Sequence, residues 1–112
     1  MRTRTAAVTA SLLLSLLAAC SSGSEEPADP TKLDDAAELA CDDFATGYKA
    51  AQTSTARVEL ADKVNKWAQS SATNGIAANA TALARGSEST ASAWQLGADA
   101  FAKACLDAGW KA

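Results

Sequence analysis

The chain has no histidine, two prolines, and six glycines that never gather into a loop. Each absence removes a class of chemistry. Without histidine there is no Ser-His or Cys-His dyad of the common kind, and nothing places a serine beside a lysine as a substitute. A zinc site would need four ligands, and three cysteines without a Cys-x-x-Cys pair do not supply them. Gly86 and Gly97 stand alone, so no glycine-rich phosphate loop is present. Ten basic residues against thirteen acidic ones leave no basic patch for nucleic acid. No catalytic residue, cofactor or metal site is expected, and no internal repeat is visible.

What is there begins at the N-terminus. Arg2 and Arg4 are the only charges before Glu25, and Ala6 to Leu17 is apolar apart from Thr9, Ser11 and Ser15. A basic start, an apolar stretch of about a dozen residues and then small residues form the three-part export pattern. The apolar run is shorter than the roughly 20 residues that span a bilayer. At its end, Leu17-Ala18-Ala19-Cys20 resembles the lipobox of bacterial lipoproteins. The resemblance covers the first twenty residues and implies a diacylglyceryl group on the Cys20 thiol, cleavage before Cys20 and an amine open to acylation. An ordinary signal peptide and an uncleaved signal anchor are the competing readings. Ser21 follows the cysteine, where an aspartate would signal inner-membrane retention. Two acyl chains, at about 0.8 kcal/mol per buried methylene, hold a protein on a membrane.

These residues divide the chain into a signal peptide over 1–19, a lipid-anchored tether over 20–30 and a helical domain over 31–112. The tether, Ser-Ser-Gly-Ser-Glu-Glu-Pro-Ala-Asp-Pro after Cys20, has no large apolar side chain. Loss of residues 1–19 leaves eight basic and thirteen acidic residues, a formal charge of −5. Anchoring then falls to lipid, because a polybasic grip is missing. With Cys20 lipidated, Cys41 and Cys105 make an even pair in an oxidising compartment, which favours a disulfide over a zinc pair or a reactive thiol.

The domain is alanine-rich with helical periodicity. Thr31 with Asp34 resembles a capping box, and Leu33, Ala37, Cys41, Phe44, Tyr48 and Ala51 predict a first helix of about 20 residues, with Gly47 at a close contact. Thr55 is the expected cap of a second helix with Val58, Ala61, Val64, Trp67, Ala68 and Ser71 on one face. Its other face carries Glu59 with Lys63 and Asp62 with Lys66. Asn74-Gly75 is expected to end it. Ile76, Ala80, Leu83 and Ala84 mark a shorter third segment, stopped by Gly86, which either packs tightly or frays. Trp94, Ala98, Phe101, Cys105 and Ala108 give the last helix a core face, with Asp99 and Lys103 paired opposite and Gly109 as the stop. The fold class is therefore all-α, a small three- to four-helix bundle. Cys41 and Cys105 both lie on apolar faces, so a disulfide should join the first and last helices.

Candidate functional residues are few. Asp34, Asp35, Glu38, Asp42 and Asp43 are the densest charge cluster, and the first of them also complement a helix dipole. Trp110 lies past Gly109, either covering the end of the bundle or available to a partner. Together they form the candidate partner surface. The alanine-rich body is similar in composition to small lipoproteins of high-GC Gram-positive bacteria. The functional expectation is a non-catalytic interaction module on the extracytoplasmic face of the cell membrane. Its partner would be an envelope or phage protein, with prophage-type superinfection exclusion as one variant. The alternative is a carrier holding a small hydrophobic ligand between helices lined by Ala80, Ala84 and Ala98.

Overall fold

The computed structural model describes residues 29–112, so the segment 1–19, Cys20 and most of the tether lie outside the described residues. Four helices follow in order: α1 (Asp35–Gly47), α2 (Ser54–Ala68), α3 (Ile76–Ser87) and α4 (Ala91–Asp107). A 3₁₀ turn, Tyr48–Ala50, extends α1.

Side-chain oxygens set three of the four starts. The Ala37, Ala56 and Ala93 N–H groups donate to Asp34, Thr53 and Thr90 at 2.8, 3.1 and 3.1 Å. Each satisfies one of the orphan donors of a first helical turn. These positions correct two expectations. Asp34, not Thr31, caps α1: the Ala37 N–H donates to Asp34, while the Thr31 hydroxyl donates to Asp29 Oδ1 at 2.6 Å. Thr53, not Thr55, caps α2. The first helix is 13 residues rather than about 20, since the backbone tightens into the 3₁₀ turn after Gly47. Gly75 also changes role. With φ +79° it sits in the left-handed region just ahead of α3 and opens that helix, while α2 has already ended at Ala68. Gly109, at φ +100°, does turn the chain after α4.

Short connections make consecutive helices antiparallel neighbours. α1 packs on α2, α2 on α3 and α3 on α4. The core runs through Ala37, Phe44, Val64, Ile76, Leu83, Trp94 and Phe101. Ile76, Leu83 and Phe101 are fully buried, each contributing roughly 1.5–3 kcal/mol of apolar transfer. Leu60 is buried as well, although the sequence stripe passes beside it, and its Cδ1 lies 2.7 Å from where a Cβ on Gly47 would sit. Trp67, expected inward, is instead 37 % exposed.

The two seams of α4 differ in kind. Against α3 the approach is backbone to backbone. A Cβ on Gly86 would stand 2.6 Å from the Ala93 carbonyl oxygen, and one on Gly97 would stand 3.1 Å from the Leu83 Cα. Gly86 therefore does not stop α3; it lies inside it and admits α4. The third segment packs tightly. Against α1, by contrast, side chains span the gap. Cys41 and Cys105 form the expected disulfide between first and last helices, with Cα atoms 6.0 Å apart. Phe44 meets Phe101 edge-on at 5.2 Å, Tyr48 stacks near Trp94 at 6.3 Å, and the Tyr48 hydroxyl donates to Gln95 at 2.7 Å. Arg57 lies 5.9 Å from the centre of the Trp94 ring and caps this aromatic column.

Of the surface pairs expected, none closes. Lys103 turns to Asp107 at 2.8 Å, and Asp99 accepts instead from Gln95. Lys66 lies 5.9 Å from the Trp67 ring centre. Exposed pairs are worth little against the side-chain entropy of holding them.

The glycine geometry gives a direct contrast. Gly86→Ala forces α3 and α4 apart and should destabilise the fold by about 1–3 kcal/mol in urea titration. Gly47→Ala meets only the mobile end of Leu60 and gains helix propensity, so its effect should be under about 1 kcal/mol. Equal effects would contradict the close α3–α4 seam.

Candidate interaction surface

The candidate residues sit around α1 but do three different jobs. Asp34 faces inward along the chain. Its carboxylate accepts from the Ala37 N–H, the Ala72 N–H and the Ser71 hydroxyl, each at 2.8 Å. Its own N–H donates to Thr73 Oγ1 at 3.1 Å, and the Thr73 hydroxyl donates to the Lys32 carbonyl at 2.7 Å. The Asn74 N–H reaches the Pro30 carbonyl at 2.8 Å. Residues 30–34 are thus laced to residues 71–74, the α2–α3 connection. Pro30, the last residue of the expected tether, already bonds to the domain. Asp34 is occupied internally and offers little to a partner.

Partial burial raises the Asp34 pKa, but the hydrogen bonds from Ala37, Ala72 and Ser71 outweigh it and leave the group below its ordinary value. A carboxylate with a depressed folded pKa adds stability that is present above its unfolded pKa and is lost as pH falls through the folded one.

Asp42 and Asp43 are adjacent and diverge. Asp42 accepts from the Trp110 indole N–H at 2.8 Å, and Asp43 accepts from the Trp67 indole N–H at 3.1 Å. Trp67 comes from the end of α2 and Trp110 from beyond α4, so the two indoles bracket α1 from opposite sides. On the same helix, Asp35 and Glu38 are exposed, and Leu39 is an exposed large apolar side chain. The sequence grouped Asp42 with Trp110 in one candidate surface, and the structure brings them into contact. Trp110 is half-buried, packed against the core on one side. Trp67 and Leu39 belong to this surface too. Trp67 was hidden by its fit to the helical stripe; the signal that could have found it is Asp43, an acid with no cation nearby in sequence.

Elsewhere the surface has shallow recesses. One of about 390 Å³ is an open groove between α3 and α4, lined by Ala82, Gly86, Ala93, Gly97 and Ala100, with Leu96 72 % exposed beside it. Of the alanines considered for a carrier cavity, Ala80 and Ala98 are fully packed and Ala84 is partly covered. Asn79, in a glycosylation-type sequon, lies within α3 and donates its amide to the Gly75 carbonyl at 2.7 Å. Among the described residues no group of three or more acids or cysteines is placed to hold a metal ion, and no helix is long and apolar enough to cross a membrane.

No protein-family model matches the chain, and comparison with curated proteins and with solved structures gives no match either.

Replacing Asp34 with Ala removes a cap and the acceptor of the Ala72 N–H and Ser71 hydroxyl, which should cost about 1–2 kcal/mol at neutral pH. In acid titration of urea stability, the wild-type advantage over Asp34→Ala should shrink as pH drops below about 4. A difference constant from neutral pH to strong acid would contradict this role.

Proposed function

We propose that the chain is a lipid-anchored, non-catalytic interaction module on the extracytoplasmic face of a bacterial cell membrane. It presents the outer face of α1 to an envelope or phage protein. The observation that carries the reading is the pair of indole–aspartate bonds. They hold two large aromatic edges beside exposed Asp35, Glu38 and Leu39, a mixture of flat apolar area and unpaired negative charge that suits a basic partner. The formal charge of −5 on residues 20–112 favours the same sign of partner. The anchoring half rests on the resemblance of Leu17-Ala18-Ala19-Cys20 to a lipobox. Superinfection exclusion is a specific form of this role, supported by size and anchoring alone. The carrier reading draws no support from the backbone-tight seam between α3 and α4.

Two experiments test the halves separately. In a bacterial host fed labelled fatty acid, wild-type protein should carry label and sediment with membranes, while Cys20→Ser should do neither. Label-free wild-type protein in the soluble fraction would sink the anchoring. For the surface, a photo-crosslinker at Leu39 should capture a partner in intact cells, and Asp35→Lys with Glu38→Lys should abolish capture while the domain stays folded, its melting temperature lowered only by the loss of two first-turn acids. Equal capture from a crosslinker at Leu96, unaffected by charge reversal, would refute the assignment to α1.

A further inference from the structure

We propose that the C-terminal tail is a strap that shields the Cys41–Cys105 disulfide from external thiols. The half-cystines are 1 % and 2 % exposed. Just beyond α4, Gly109 takes φ +100° and reverses the chain. The reversal lets the Trp110 N–H donate to the carbonyl of Cys105 at 3.0 Å, while the Gly109 N–H reaches the Leu106 carbonyl at 3.0 Å. This is the 6→1 closure that ends a helix on a left-handed glycine. From that position the Trp110 indole crosses to α1 and donates to Asp42, the residue next to Cys41. One residue thus touches the backbone of one half-cystine and the neighbour of the other. Its ring is packed against the core cluster that contains both cysteines.

The strap is held lightly. Its bond to Asp42 is solvent-exposed, and Lys111 and Ala112 beyond it are exposed. Segments held by few, exposed contacts open with low free energy, well below that of global unfolding. Lifting of the tail is therefore the local opening that governs attack on the disulfide. In that attack a reductant thiolate joins one cystine sulfur and displaces the other as thiolate. A second thiol of the reductant then closes its own disulfide, so two electrons pass to the protein and two cysteine thiols result. An exported protein meets small thiols and thiol oxidoreductases, and a strap of this kind keeps the staple structural.

The test uses the folded, oxidised chain with dithiothreitol under native conditions, quenched by alkylation and read by intact mass. Thermal unfolding is measured in parallel. Asp42→Ala releases the indole while leaving every core atom in place, and Trp110→Ala removes the strap itself. Asp42→Ala should be reduced at least about threefold faster, the change in open population that one exposed charge-assisted hydrogen bond supports, and Trp110→Ala faster still. Trp67→Ala, which removes the matching indole–aspartate bond on the other side of α1, should be reduced near the wild-type rate. Asp42→Ala reduced at the wild-type rate overturns the proposal whatever Trp110→Ala does. So does equal acceleration by Trp67→Ala, because the effect would then follow general stability and not the tail.

Discussion

The bond between Cys41 and Cys105 closes a row of helices into a bundle. α1 touches α2, α2 touches α3 and α3 touches α4, each through a short connection, but nothing in chain order obliges α4 to return to α1. The disulfide does so across 64 residues of sequence. In the chain-entropy account a loop of that length is worth about 4 kcal/mol. A domain of this size has a small core, so a contribution of that order is a large share of its stability. The aromatic contacts of Phe44, Tyr48, Trp94 and Phe101 lie along the same seam, and the staple fixes the spacing they need.

The other seam of α4 works by the opposite principle. Gly86 and Gly97 remove side chains so that α3 and α4 meet at the backbone, and alanines fill the rest. α4 is thus gripped closely on one side and held at a distance by large rings on the other. That asymmetry leaves the outer face of α1 as the place where polar and aromatic groups from three elements meet. Asp42 and Asp43 take an indole each, while Asp34 ties the start of α1 to the α2–α3 connection.

Much of this was legible in the residues because it depends on period and parity. The inward spacing of Trp94, Ala98, Phe101 and Cys105 announced the core face of α4, and an even cysteine pair on two apolar faces announced which helices must meet. Local choices among equivalent groups were less legible. Thr31 and Asp34 are both good caps, and only the tertiary bonds from Ser71 and Ala72 decide for Asp34. Gly86 resembles a helix stop until α4 is present to fill the space its missing Cβ leaves. Trp67 fits the stripe of α2 by spacing, yet its N–H needs a partner, and Asp43 provides one at the surface. The charge pairs expected on α2 did not close, and on α4 Lys103 took Asp107 rather than Asp99, because an exposed ion gains too little from any one neighbour for the spacing alone to fix its choice. Residues 1–28, which carry the anchoring argument, lie outside what the structure describes.

The account stands on the staple between α1 and α4. The most direct measurement is urea unfolding of the oxidised protein beside a Cys41→Ala, Cys105→Ala double variant, with intact mass before and after alkylation to establish the pairing. The account predicts no free thiol from Cys41 or Cys105 in the native protein and a loss of about 4 kcal/mol, or outright unfolding, in the variant. Two alkylated cysteines in the native protein, or a variant as stable as the parent, would contradict it.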